Sequence, residues 1–255
     1  MTETYTCEPM RSAAVLALIL SHAPAPAAEV SVAVASNFTV PMQKLAAAFE
    51  QSSGHKATLA FGSTGRFYAQ VRNGAPFQVL LAADDETPAK LEKDGLAVAG
   101  SRFTYATGRL VLWSADPGVV DERGEVLKKP GTGKIAIADP RLAPYGVAAV
   151  EAMGRLGVAL ALQPRIVQGE NISQAYQFVL TGNAQMGFVA LSQVMADGRI
   201  EKGSAWRVPA ELHAAIKQDA VVLSAGKDNP AAAALMAFLR SDAARAIIRA
   251  HGYEL

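Results

Sequence analysis

The chain has 255 residues, of which 51% are hydrophobic and 18% are charged, and its formal net charge is +1. This composition excludes a disordered chain, and the length allows a substantial buried core in one large domain or two smaller lobes. A nearly neutral chain offers no basic surface for nucleic acid or for an anionic membrane, so neither is expected as a partner.

The first residues, 1–27, are typical of a secretory signal peptide. The stretch from Met10 to Val30 begins with one Arg, continues with a short apolar core and ends in small residues. Ala25-Pro26-Ala27 fits the small-x-small cleavage pattern, which predicts an exported, periplasmic protein that starts near residue 28. Residues 1–9 are acidic and do not suit a basic n-region, so they are interpreted as a mis-assigned start. An N-terminal helix that stays on the protein is the alternative.

The predicted mature chain contains neither a disulfide nor a free thiol, because Cys7 is the only cysteine and lies in the signal segment. Redox chemistry and cysteine-bound metals are therefore not expected. After the signal segment, no apolar stretch reaches the roughly 20 residues that a membrane helix needs.

Short apolar strands alternate with amphipathic helices along the mature chain, which is the pattern of an α/β fold. Strands are predicted at 30–35, 57–61, 78–82, 109–115, 134–139, 165–167, 186–190 and 220–226. The pattern restarts after residue 115, which indicates two α/β lobes with a cleft between them. A single doubly wound sheet is the alternative, because periodicity does not give the number of lobes.

Four predicted strand-to-helix junctions share a chemical character. Each places hydroxyls, small residues or bare backbone N–H groups where a helix begins; the junctions are 35–39, 62–65, 143–146 and 170–173. Helix N-termini present unpaired N–H donors and a partial positive charge, so each junction is a candidate contact for an anion. Ordinary capping is the alternative at each one, since Ser, Thr and Asn are preferred N-caps.

Several enzyme classes are disfavoured by the motifs that the chain lacks. The Gly62–Gly65 segment has neither P-loop spacing nor a following Lys, and no G-x-G-x-x-G opens a helix after the first strand. There is no G-x-S-x-G nucleophile motif, and His55, His213 and His251 are the only histidines after the signal segment. No His or carboxylate cluster has the spacing of metal ligands, so no directly coordinated metal and no cofactor are expected.

The segments VAVASNFTVPM, GSTGRFYAQVRNGAP, ADPRLAPYG and MGFVAL resemble the periplasmic molybdate-binding proteins of ABC importers. The resemblance runs in order from Val30 to the end of the chain. It implies a two-lobed α/β periplasmic-binding-protein fold, similar to type II, that closes on one tetrahedral oxyanion in the interlobe cleft. Lobe I would comprise residues 28–109 and 217–255, and lobe II residues 110–216.

The resemblance also implies which residues bind the anion. Ser36 and Asn37 match a hydroxyl-and-amide contact after the first strand, and Thr64 matches a ligating hydroxyl, with Ser63 as the less certain choice beside it. On the other lobe, Tyr145 matches the position after an Ala-Pro pair, and Ile172 matches a backbone N–H donor.

One position departs from a branch of the family. That branch has a ligating Tyr where this chain has Ala190, and Tyr145 is expected to supply the phenol instead, as in a second branch. Arg66 lies next to the predicted cage, where it either senses the anion at longer range or faces solvent.

The resemblance implies a protein that binds molybdate, and tungstate as well, and delivers it to the membrane permease of an ABC importer. It is expected to act as a monomer and not as an enzyme. A sulfate or phosphate receptor of the same fold is one alternative. An enzyme acting on a phosphorylated or sulfated substrate is the other, and it is disfavoured because no catalytic constellation is present.

Overall fold

The structure is a computed structural model that describes residues 1–4, 27–131, 133–196, 198–200 and 202–255. Most of the predicted signal peptide, including Cys7 and the proposed start at Met10, lies outside the described residues. Within them, no single helix is long and apolar enough to cross a membrane. A pair bent by 119°, Pro144–Arg155 and Ala159–Arg165, meets the criteria of length and composition only when taken together.

Strands and helices alternate along most of the described chain. The strands are β1 Glu29–Ala35, β2 Lys56–Gly62, β3 Val79–Leu81, β4 Phe103–Gly108, β5 Leu110–Ser114, β6 Ile135–Ala138, β7 Ile166–Gly169, β8 Met186–Ala190, β9 Met195–Ala196, β10 Arg199–Ile200, β11 Ser204–Arg207 and β12 Ile216–Val222. The α-helices are α1 Thr39–Ser53, α2 Thr64–Arg72, α3 Glu86–Lys93, α4 Pro144–Arg155, α5 Ala159–Leu162, α6 Ile172–Leu180, α7 Leu191–Val194, α8 Pro230–Leu239 and α9 Asp242–Ala250. Short 3-10 helices lie at Ser36–Phe38, Glu125–Lys128, Gln163–Arg165, Ala210–Leu212 and Ser224–Gly226.

The strands form two five-stranded mixed sheets and one short hairpin. The first sheet has the order β2-β1-β3-β12-β4, and the second has the order β11-β5-β8-β6-β7. In the first sheet β1 pairs in parallel with β2 and β3, whereas β12 runs antiparallel to β3 and β4. The predicted two-sheet α/β fold is therefore confirmed.

The chain crosses between the sheets twice. It leaves the first sheet after β4 and enters the second at β5, and it returns between β11 and β12. The predicted lobe boundaries, 28–109 with 217–255 and 110–216, stay a prediction.

Helices cover both faces of the first sheet. On one face Val30, Val32 and Val34 of β1 pack in a buried cluster with residues of α1, α8 and α9. On the other face Ala33 packs with residues of α2 and α3. This alternation along β1 follows from the period of two residues in a strand. Ala35, the last residue of β1, belongs to a buried cluster that contains residues of the second sheet.

Five strands differ from the sequence-based prediction. Strands β4, β9, β10 and β11 were not predicted, and the last long strand runs over Ile216–Val222 where 220–226 was expected. The missed part holds Gln218 and Asp219, which are polar yet 0% and 1% exposed. Burial is tolerated because Asp219 accepts from Arg102 Nη1 and Thr104 Oγ1 at 2.6 Å each, so its charge is paired.

Candidate functional site

All four predicted junctions meet at one small cavity between the two sheets. The space between the surrounding atoms amounts to about 190 Å³. The lining residues are Ala35, Ser36, Asn37, Gly62, Ser63, Thr64, Ala83, Ala143, Pro144, Tyr145 and Ile172. The six residues predicted to bind an anion are all among them, and each is at most 5% exposed.

The first junction is the 3-10 turn Ser36–Phe38 that follows β1. The Ser36 carbonyl accepts hydrogen bonds from Thr39 Oγ1 at 2.8 Å and from Ser173 Oγ at 3.2 Å. Asn37 Nδ2 donates to Gln218 Oε1 and to Tyr253 Oη, both at 2.9 Å. Because both amide hydrogens are directed away from the cavity, Asn37 can offer a ligand its backbone N–H but not its side-chain amide.

The second junction joins β2 to α2 through Ser63 and Thr64. The Ser63 hydroxyl is buried and has no hydrogen-bond partner, although Ser63 is the N-cap of α2. Thr64 Oγ1 accepts from Ala83 N at 2.9 Å, which fixes the oxygen and leaves its hydrogen free to be donated. The structure therefore supplies two hydroxyls here, and Ser63 is the one without a partner.

The third junction is the start of α4, where Pro144 occupies the first turn. A Cβ at Gly146 would overlap the Ala138 carbonyl, so glycine lets this turn lie directly on β6. The Tyr145 ring lines the cavity, and its hydroxyl accepts from Gln218 Nε2 at 3.2 Å. Burial raises the pKa of Tyr145 well above the usual range, so the phenol keeps its proton and can act as a donor.

The fourth junction is the start of α6 at Ile172. Asn171 caps this helix by accepting from Gln174 N at 3.0 Å. That cap leaves the N–H of Ile172, the first residue of the helix, without an acceptor in its own helix. Ser173, one residue further, bonds to Ser36 across the cavity and so ties the fourth junction to the first.

Capping does not account for the hydroxyls at these junctions. The helices that begin at Ser36, Thr64 and Pro144 have no side-chain cap hydrogen bond, and only the helix at Ile172 has one. Ser63 stands at the capping position with its hydroxyl unused. A buried hydroxyl without a partner is costly, so its presence favours a binding role.

No residue that lines the cavity carries a charge. Arg66, the nearest candidate cation in the sequence, has a side chain 57% exposed and pairs with Glu170 at 2.7 Å. It therefore faces solvent and joins α2 to the segment before α6. In the part of the chain that the structure describes, no group of three His, Cys, Asp or Glu residues could hold a metal ion.

One acidic group lies close behind the lining. Asp84 follows Ala83, and burial raises the pKa of its carboxyl to about 6, although hydrogen bonds from Thr87 lower it. A doubly charged anion in the cavity would be repelled by an ionised Asp84, which makes this residue the main unfavourable electrostatic feature of the site.

The two sides of the cavity are held together by direct contacts. Gly65 N donates to Leu142 O at 2.9 Å, and a Cβ at Gly65 would lie 3.1 Å from both the Cα and the carbonyl oxygen of Leu142. The Ser173–Ser36 bond and the Arg66–Glu170 ion pair join the same two sides. These contacts keep the donors of both sides facing the same cavity.

Sequence reasoning missed the residues behind the lining. Gln218, Tyr253, Tyr105 and Ser192 are buried and hydrogen-bonded to one another or to Asn37. The sequence-based prediction started the strand at residue 220, after the polar run Lys217-Gln218-Asp219, and so left Gln218 outside it.

Two β-sheets flanked by helices, with an uncharged, donor-lined cavity between them, are the architecture of a solute-binding protein. The model of the bacterial extracellular solute-binding protein family matches residues 30–254, so the chain belongs to that family.

The chain is similar to two molybdate-binding proteins named ModA. It is 58% identical to that of Azotobacter vinelandii over 231 residues, which cover 91% of this chain and 92% of the relative. It is 52% identical to that of Rhodobacter capsulatus over 242 residues, which cover 94% of both.

Its structure is similar to that of a periplasmic molybdate-binding protein of Azotobacter vinelandii, with a TM-score of 0.85 at 42% identity. The match covers 89% of this chain and 99% of that chain. The resemblance noted in the sequence is therefore confirmed, and so is the expectation of a binding protein and not an enzyme.

Proposed function

We propose that this protein binds molybdate, and tungstate as well, in the cavity between its two sheets, and delivers the ion to the permease of an ABC importer. It acts in the periplasm as a monomer and uses no cofactor. The observation that supports this most directly is the set of uncharged donors from four chain segments around one enclosed cavity, with the Ser63 hydroxyl unpartnered among them.

Neutral donors are sufficient to hold a dianion. Each hydrogen bond to a charged group contributes roughly 1.5–3 kcal/mol, and helix N-termini add their dipoles. The proposed contacts are the hydroxyls of Ser36, Ser63, Thr64 and Tyr145 and the backbone N–H groups of Asn37 and Ile172. The cage holds the metal only as part of the oxyanion, so no side chain coordinates it directly.

Phosphate is disfavoured by the same lining. At neutral pH every phosphate ion carries one or two protons, and such a proton needs an acceptor, whereas the cavity has no carboxylate among its lining residues. Sulfate is fully ionised, so charge does not exclude it. It differs from molybdate mainly in size, and the dimensions of the cage decide between them.

Thermal unfolding with four anions tests the proposal. At 1,000 times Kd a ligand stabilises the native state by about 4 kcal/mol, which for a protein of this size raises Tm by roughly 8–16 °C. We expect molybdate and tungstate to do this, and sulfate and phosphate at equal concentration to raise Tm much less. Equal shifts for molybdate and sulfate would contradict the selectivity, and no shift with any anion would contradict the binding function.

A further inference from the structure

Gln218 connects the cavity to the strands on which the chain crosses between the sheets. It lies on β12 and is 0% exposed. Its Oε1 accepts from Asn37 Nδ2 at 2.9 Å and from Tyr105 Oη at 3.0 Å, and its Nε2 donates to Tyr145 Oη at 3.2 Å. One side chain thus contacts both a residue of the first junction and the phenol of the third.

The orientation of this amide follows from the groups around it. The Tyr253 hydroxyl donates to the Asn37 carbonyl at 2.8 Å, so its oxygen is left to accept from Asn37 Nδ2. Asn37 therefore presents an N–H₂ group toward Gln218, and the atom that faces it must be the Gln218 oxygen. The amide nitrogen of Gln218 then faces Tyr145.

This orientation of the Gln218 amide limits the hydrogen bonds that the Tyr145 phenol can make. A hydroxyl has one hydrogen, and a neighbour that donates to its oxygen cannot also receive that hydrogen. Besides burial, contact with the Tyr253 hydroxyl, which can accept the Tyr145 hydrogen, contributes to the raised pKa of Tyr145. A bound oxyanion is charged and accepts a hydrogen bond more strongly than a neutral hydroxyl, so it would take the Tyr145 hydrogen in place of Tyr253.

Gly108 makes room for this contact. It is the last residue of β4 and lies opposite Ile216 of β12. A Cβ at this position would lie 2.6 Å from Gln218 Nε2 and would overlap the Tyr145 hydroxyl. Glycine is required here by space, because any side chain would separate the two groups.

We propose that Gln218 is a positioning residue: by donating to the Tyr145 oxygen it directs the phenolic hydrogen toward the bound oxyanion. This inference rests on the proposed function. Gln218 itself does not line the cavity, so it acts only through Tyr145 and Asn37.

Isothermal titration calorimetry with molybdate between pH 7 and pH 9 tests this on Gln218→Glu. A buried carboxyl has a raised pKa, and its protonated form can donate to Tyr145 as the amide does, whereas its ionised form takes the phenolic hydrogen. We expect near wild-type affinity at the low end of the range and a loss of roughly tenfold to hundredfold at the high end. The exposed control Gln163→Glu should show the same pH profile as wild type, which contains any contribution of Asp84, so the extra loss in Gln218→Glu is measured against that profile.

A double-mutant cycle with Gln218→Met and Tyr145→Phe supplies a second readout without a new charge. Gln218→Met should weaken binding about tenfold when Tyr145 is present and less than about threefold in the Tyr145→Phe protein. Equal losses in both backgrounds, or a pH profile for Gln218→Glu that matches wild type, would overturn the positioning role of Gln218. The proposed binding function would still stand if the wild type bound molybdate. A wild type that binds none of the four anions overturns both.

Discussion

A substitution at Ser63 should change the affinity for the anion and the stability of the ligand-free protein in different directions. Its hydroxyl is buried without a partner, so removing it takes away a ligand contact and also an unsatisfied polar atom. We expect Ser63→Ala to weaken molybdate binding about tenfold to hundredfold, while the ligand-free protein keeps or raises its Tm. Calorimetry and thermal unfolding of the same preparation measure both.

Thr64→Val is the matched comparison. It removes a similar hydroxyl, but it also leaves Ala83 N without its acceptor, so both affinity and ligand-free stability should fall. If Ser63→Ala lowered stability as Thr64→Val does and left affinity unchanged, Ser63 would be a structural residue and not a ligand.

Asp84 gives stability a defined pH dependence. Its pKa is raised from 3.8 to about 6 in the folded protein by burial. Between these values the folded state holds a proton that the unfolded state has lost, so this residue makes stability fall as the pH rises through the window. Above it, the folded protein keeps an ionised carboxylate at a half-buried position.

Asp84→Asn should remove this effect, because an amide oxygen can still accept from Thr87 N. We expect the variant to be more stable than wild type by about 1–3 kcal/mol at pH 7.5 and the difference to shrink toward pH 4. Urea unfolding at several pH values measures it, and a difference independent of pH would contradict the assignment.

Among the elements, the strand-to-helix junctions were predictable, whereas of the strands at the two crossings β4 and β11 were missed and β12 was only partly placed. A junction such as Gly62–Gly65 is local, since an apolar strand, a hydroxyl pair and a helix start stand side by side in the sequence. Strand β12 was placed too late because Gln218 and Asp219 look like loop residues. Their burial depends on partners that are distant in the chain, such as Asn37 and Arg102, and no local pattern shows those partners.

Helix α2 meets the start of α4 through Gly65, and this contact should control closure of the cavity. A methyl group at this position would push against the backbone of Leu142 and strain the Gly65 N–Leu142 O bond. We expect Gly65→Ala to weaken molybdate, tungstate and sulfate binding by similar factors, about tenfold, because it moves two elements and not one donor.

Gly154→Ala is its control, since Gly154 lies in α4 with nothing within 4 Å of an added Cβ. That change should leave affinity unaltered and stabilise the helix slightly. A loss for molybdate alone in Gly65→Ala would mean that Gly65 shapes selectivity instead of closure.

At the scale of the whole molecule, the Arg66–Glu170 pair is the ion pair that, among the described residues, joins the two sides of the cavity, and its strength should depend on salt. Both side chains are more than half exposed, and exposed pairs contribute at most about 1 kcal/mol. Arg66→Ala should therefore speed dissociation of molybdate by no more than about fivefold in dilute buffer, and by less in 0.5 M salt. Stopped-flow displacement measures the rate.

The double variant Arg66→Ala with Glu170→Ala should behave like the single variant, since each partner has lost its role once the other is gone. Loss of binding by a hundredfold or more in Arg66→Ala would contradict a cavity that holds its anion by uncharged donors alone.

The position of β12 between β3 and β4 also sets the order in which the molecule can be completed during synthesis. The first sheet starts with β1, but its middle stays open until the chain has built the whole second sheet and returned at Ile216. Strand pairings this distant in sequence form slowly, because the entropy cost of closing a long loop comes before any stabilising contact between the strands is made. A nascent chain that stops before β12 would expose the unpaired edges of β3 and β4, where other chains can add. The sheet that is begun first is thus the one that is completed last.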